Sequence, residues 1–125
     1  MQYRNQKHCE LFKEEVRKMR KKDNDYMAAL YLLTSDARLW NAVKHHTIDS
    51  RINLKRIQIT HIHPNGYTLF CCAKDFCCGT NHIGVAELSD VDVIPKKVFW
   101  VICNAMAIRR FGLAIEQHAI GDGEE

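Results

Sequence analysis

The 125 residues predict a mainly α fold, a compact single-domain bundle of about five helices, with one short two-stranded β pairing as an optional addition. Three observations predict it. Residues 93–112 read as a helix that is apolar nearly all round. Near the N-terminus, apolar residues recur at helical spacing. Short breaks rich in Asp, Asn, Ser and Gly separate the remaining segments and supply the residues that start and stop helices. A chain of 14.5 kDa buries roughly two thirds of its unfolded surface. One globular domain over residues 1–120 therefore needs no covalent staple, and residues 121–125 are expected to be a disordered tail.

A first helix is predicted over residues 5–22, where Phe12, Val16 and Met19 recur with Leu11 alongside. Glu10, Glu14 and Glu15 crowd its first half. Arg17, Lys18, Arg20, Lys21 and Lys22 crowd its second, the order that the helix dipole favours. Glu14 and Lys18 are spaced for an i,i+4 ion pair. Asp23-Asn24-Asp25 breaks the chain and offers N-caps for a second helix over about 26–33. Thr34-Ser35-Asp36 does the same for a third over 37–44, with Leu39, Trp40 and Val43 facing inward. Between 46 and 66 the pattern is mixed. Ile52, Leu54, Ile57, Ile59 and Ile62 partly alternate, which permits a strand near 55–60. Pro64-Asn65-Gly66 reads as a turn. A helix over 67–78 follows, closed by Gly79. Residues 82–88 form a second short strand or a loop, and pairing of 55–60 with 82–86 is the optional sheet.

The last helix is the best-written one. Pro95 suits a first turn, where a missing N–H costs nothing. From Val98 to Ile108 only Asn104 is plainly polar. Arg109 and Arg110 fall in the last turn, and Gly112 sits at the cap position. A helix without a polar face belongs inside a domain. Residues 96–110 are therefore expected to be the central helix, with Trp100, like Trp40, in the core.

Composition limits function. The net charge is +3 and the isoelectric point near 8.5, milder than the values above about 9 that mark dedicated nucleic-acid binders. No apolar run approaches the roughly 18 residues of a membrane span, and residues 1–10 lack the apolar stretch of a signal peptide. The expectation is a cytoplasmic protein without membrane contact, its six Cys residues kept as thiols. No cofactor is expected.

Candidate chemistry is sparse. Cys71-Cys72 and Cys77-Cys78 lack both the C-x₂-C and the i,i+4 spacing of zinc ligands and read as small buried hydrophobes. His61-Ile62-His63 places two rings on one side of a strand. With His82 and a Cys these could form a mixed zinc site. No Cys or acid stands at companion spacing, so no metal is expected. There is no G-x-S-x-G elbow and no Gly-rich phosphate loop. The best interaction candidate is the basic run Arg17, Lys18, Arg20, Lys21 and Lys22, which suits phosphates or an acidic partner. Arg109-Arg110 is a second cation pair.

Three segments carry a resemblance. They are Tyr-Leu-Leu-Thr-Ser-Asp-Ala-Arg-Leu-Trp-Asn at 31–41, Gly-Tyr-Thr-Leu-Phe-Cys-Cys-Ala-Lys-Asp at 66–75 and Ile-Cys-Asn-Ala-Met-Ala-Ile-Arg-Arg-Phe-Gly-Leu at 102–113. Together they resemble a family of small uncharacterised domains encoded in conjugative and transposon-type elements of Gram-positive gut bacteria, over about residues 3–115. The resemblance implies a cargo or accessory protein of a mobile element and carries over no catalytic or binding residue. The expected function is thus a non-enzymatic accessory protein, monomer or homodimer, that binds an unidentified macromolecule, a protein ahead of a nucleic acid. The alternatives are a nucleic-acid-binding or host-defence inhibitor, for example of a CRISPR nuclease, and an enzyme of unrecognised type. Buried titratable groups in a cleft would favour the enzyme. A basic face joining the first helix to Arg51, Lys55 and Arg56 would favour nucleic acid. A sizeable exposed apolar patch would favour a protein partner.

Overall fold

Asn5 starts the first helix, α1 (Gln6–Arg17), by accepting a hydrogen bond from the His8 amide at 2.8 Å. The computed structural model describes residues 2–114, and the expected tail at 121–125 lies outside the described residues. α1 ends five residues short of its expected limit. The Lys18 and Met19 amides turn back onto the carbonyls of Glu15 and Val16, and the chain runs on as a turn to Asp23. Two effects end it there. A longer helix would stack five cations at repulsive spacing. Asp23 must also be extended (φ −141°) to cap the next helix.

That helix, α2 (Asn24–Thr34), is the centre of the molecule. Every residue from Tyr26 to Thr34 is buried, and α1, α3 (Ala37–Val43), α4 (Pro64–Cys78) and α6 (Lys96–Phe111) all pack against it. The hydroxyls at its C-terminal end turn back onto it: Thr34 donates to the Leu30 carbonyl at 2.7 Å and the cap residue Ser35 to the Leu32 carbonyl at 2.6 Å. The expectation of a central helix over 96–110 is therefore corrected. α6 forms within a residue of its expected bounds but buries one side only, through Val98, Val101, Ile102, Ala105 and Ile108. Trp100 is 55% exposed, whereas Trp40 is buried as expected. The uncharged run from Tyr26 to Thr34 can be enclosed on all sides, and Ala28 and Ala29 let neighbours approach closely. α6 carries Lys97, Arg109 and Arg110, which hold its other side in water.

Asp36 caps α3, accepting from the Leu39 amide at 3.0 Å, and Leu39, Trp40 and Val43 turn inward as expected. The two-stranded sheet exists, in a different place. β1 (Thr47–Ile48) pairs antiparallel with β2 (Arg51–Ile52), Thr47 opposite Ile52. Asp49 and Ser50 link them with positive φ of 54° and 67°, the left-handed pair that a two-residue hairpin loop requires. Residues 54–56 are a 3₁₀ turn, and part of the other expected strand is a short helix, α5 (Val85–Leu88). The alternation of Ile52, Leu54 and Ile57 comes from an irregular segment that buries all three, pinned where the Ile52 amide donates to the Tyr26 hydroxyl at 2.9 Å. Pro64-Asn65-Gly66 is the first turn of α4 rather than a turn before it, because Pro fits N1. Gly79, at φ 72°, caps α4 as expected.

An aromatic cluster joins α1 to α2. The His8 ring packs against Tyr31 and Tyr3, with Phe12 edge-on to Tyr31. His8 Nδ1 accepts from the Arg4 amide at 3.0 Å, which leaves Nε2–H to donate to the Tyr31 carbonyl at 2.9 Å. The Tyr31 hydroxyl donates to the Gln2 carbonyl and accepts from Asn104 Nδ2 at 3.0 Å. The N-terminal segment is thereby tied to α6 through α2. Among the described residues no helix is long and apolar enough to cross a membrane.

Candidate functional site

The basic run does not form a cationic helix face. Arg17 pairs with Glu14 at 3.1 Å and Lys18 with Glu15 at 2.9 Å, both i,i+3, in place of the expected Glu14–Lys18 pair. Arg20, Lys21 and Lys22 lie in the turn beyond α1 and are exposed. Lys18, Arg20 and Lys21 form one wall of a cleft of about 160 Å³ whose other wall is Asp49, Ser50 and Arg51. Arg51 thus joins the run, as a basic-face reading requires. It is already committed, however: it pairs with Asp23 at 2.8 Å and lies 4.1 Å over the Tyr26 ring. Asp49 adds a carboxylate to the same cleft. Arg109 likewise pairs with Asp25, at 2.9 Å.

His61, His63 and His82 are not brought together. His63, the N-cap residue of α4, bonds through Nε2 to Asp36 at 2.8 Å, and its Nδ1 is buried without a hydrogen-bond partner. His82 sits 3.1 Å from Asp75 in the loop after α4. His61 is exposed. Among the described residues no group of three His, Cys, Asp or Glu side chains could hold a metal ion. Both carboxylates organise backbone. Burial tends to raise the pKa of Asp36, but the Leu39 amide and His63 outweigh it and hold the carboxyl below its usual range. Asp75 is lowered in the same way, against burial, by the amides of His82 and Ile83 and by the Thr80 hydroxyl.

Four of the thiols are held in the protonated form by burial. Burial pushes Cys72 up to about 12 and Cys77 up to about 11, and raises Cys71 and Cys103 as well. These four are thiols at neutral pH, and the thiolate is the nucleophile. A cleft of about 370 Å³ beside Cys77 and Cys78 contains Arg51, Asp23 and Tyr26, whose charges and hydrogen bonds are already matched.

One surface is left that sequence reasoning missed. Lys96, Phe99, Cys103, Met106 and Arg110 recur at three- and four-residue steps and share one side of α6, with Trp100, Ala107 and Phe111 alongside. Trp100, Met106 and Phe111 are 55%, 38% and 49% exposed; Phe99, Cys103 and Ala107 are half-buried. Phe99 and Trp100 meet edge to face at 5.2 Å. This is an apolar stripe with cations at both ends, Lys96 and Lys97 at one and Arg110 at the other. The signal was in the sequence. The cations fall on the same helical stripe as the aromatic residues, which a fully enclosed helix would not tolerate.

Compared with protein-family models, curated proteins and solved structures, the chain matches none.

Proposed function

We propose that the protein is a non-enzymatic binding module whose docking face is the outer side of α6. Its partner is a protein helix that carries an apolar stripe bordered by carboxylates. The observation that carries this reading is the exposure of Trp100, Met106 and Phe111 on a helix that ends in cations and contains no acid. Exposed apolar residues grouped on one side mark interaction sites, and helix-in-groove recognition uses this i, i+3, i+4, i+7 spacing. Charge selects the partner. A second copy of this chain would bring Lys96, Lys97 and Arg110 against cations of the same set in either orientation. An acidic helix meets them favourably, and complementary charge adds specificity and association rate. The six free thiols support a reducing, cytoplasmic setting. An accessory protein of a mobile element, as the resemblance implies, suits such a module.

The test is selection from a helical peptide library on the wild-type chain, with the Met106→Glu variant as the counter-target. The expected winners are amphipathic and acidic, bind a monomeric chain in sedimentation, and lose about tenfold or more against Met106→Glu. Winners indifferent to that substitution, basic winners, or a chain that sediments as a dimer through this face would overturn the reading.

A further inference from the structure

A separate feature lies on the flank of α6 that faces the N-terminal segment. Lys97, Trp100, Val101 and Asn104 of α6 and Tyr3 and Arg4 of that segment line an open cleft of about 360 Å³, with Gln2 and Tyr31 completing its walls. That volume falls at the small-ligand end of the roughly 300–1,000 Å³ seen for binding clefts. No carboxylate lines the cleft among the described residues. It offers one exposed indole and two exposed cations. The walls are held without help from a ligand. Asn104 donates to the Tyr31 hydroxyl, which donates to the Gln2 carbonyl, and Arg4 is anchored by its Nη1 bond to the Ser35 carbonyl at 3.2 Å. Lys97 makes no ion pair among the described residues.

We propose that this cleft binds a nucleotide, with the base stacked on Trp100 and the phosphate held between Arg4 and Lys97. The chemistry points to that class. Negative charge in the occupant is favoured, because Lys97 and Arg4 both line the cleft and Asp36, the carboxylate that acts on Arg4, lies outside its lining. The occupant also needs a flat apolar ring to cover the indole. Stacking on an aromatic residue is a sequence-tolerant grip that any base can use, and guanidinium and ammonium groups are the usual partners of phosphate. The source is either a free nucleotide or one unit of a single strand; both present the same base and phosphate. The cleft shares Lys97 and Trp100 with the docking face but does not include Met106 or Phe111, so Met106→Glu tells the two sites apart.

Calorimetric titration of the full chain with adenosine 5′-monophosphate tests the proposal, alongside adenosine, inorganic phosphate, O-phosphotyrosine and a short oligo(dA). Saturable binding of the nucleotide is expected, with adenosine and phosphate each much weaker. Arg4→Gln combined with Lys97→Gln, and separately Trp100→Leu, should each weaken it about tenfold or more. Met106→Glu should leave it unchanged. These sites are exposed, so unchanged melting temperatures will show that the variants fold. Tighter binding of oligo(dA) assigns the cleft to single strands, and tighter binding of the mononucleotide assigns it to free nucleotides. The proposal is overturned by no saturable heat up to about 5 mM from any common nucleoside monophosphate or from oligo(dA), by affinity that survives loss of both cations, or by O-phosphotyrosine binding in preference to the nucleotide.

Discussion

At position 8 an imidazole is enclosed, and its two nitrogens are already used by the Arg4 amide and the Tyr31 carbonyl. A proton added at Nδ1 would displace the first of these bonds and bury a charge. Burial, with the nearby Arg4 charge and against the Tyr31 hydrogen bond, lowers the His8 pKa from 6.5 to about 4. The unfolded chain therefore takes up this proton first. The folded state is unaffected above pH 6.5 and loses stability as the pH falls from there towards 4, by on the order of 3 kcal/mol for this residue. Asp36 and Asp75 act with the same sign at lower pH. Their depressed values contribute stability that is present above the ordinary carboxylate range and lost as the pH falls through their folded values. Unfolding free energy measured against pH should show a shallower fall between 6.5 and 4 for His8→Gln than for wild type. Equal slopes would rule out the buried imidazole as the cause. None of this was legible in the sequence. His8 reads there as a polar residue beside Cys9, and its enclosure depends on Tyr31, 23 positions away.

Among the elements, the exchange of roles between α2 and α6 has a measurable consequence. Leu30 is fully buried on α2 and Met106 is exposed on α6. Leu30→Ala should cost about 2–5 kcal/mol through lost contacts and a cavity. Met106→Ala should stay within about 0.5 kcal/mol of wild type. Comparable costs at the two positions would restore α6 as the central helix. The helix boundaries themselves were legible wherever a cap residue announced them: Asp23, Asp36 and Gly79 all act as their chemistry dictates. Central position was legible only in part, because the apolar pattern suits an enclosed helix and the cations Lys96 and Arg110 on the same stripe do not. The loop after α4 hangs on a single carboxylate. Asp75 accepts from the Thr80 hydroxyl and from the His82 and Ile83 amides at 2.7–2.9 Å. Asp75→Ala should remove about 2 kcal/mol and speed amide exchange at residues 82 and 83. Unchanged exchange there would show the loop to be held by something else.

For the molecule as a whole, α2 is the shared neighbour of α1, α3, α4 and α6. None of these four helices can detach without uncovering it, so unfolding should be one cooperative transition. Far-ultraviolet and near-ultraviolet dichroism should give coincident denaturation curves, and separated midpoints would reveal an independently melting part. The mainly helical class was legible because it rests on local periodicity and caps. The sheet was half legible. Ile52, Leu54, Ile57, Ile59 and Ile62 suggested strand, but the hairpin was set by Asp49 and Ser50, which can adopt left-handed backbone that the β-branched residues avoid. The candidate surfaces were the least legible. The basic run stood out as a block of charge, yet its own helix supplies Glu14 and Glu15 as partners. The α6 stripe and the Trp100 cleft arise only once α2 has chosen which side of α6 to cover.

The burial of the α4 thiols also makes the protein a recorder of its own opening. Cys72 can meet an alkylating reagent only after α4 has lifted from α2, whereas Cys103, half-buried on α6, needs no such event. Labelling followed by peptide mass analysis should therefore proceed in sequence, Cys103 early and Cys72 last. At high reagent concentration the Cys72 rate should stop rising and equal the rate constant for global opening, because capture then outpaces reclosing. A Cys72 rate that keeps pace with Cys103 would mean that α4 detaches alone, on a timescale that bulk melting curves do not register.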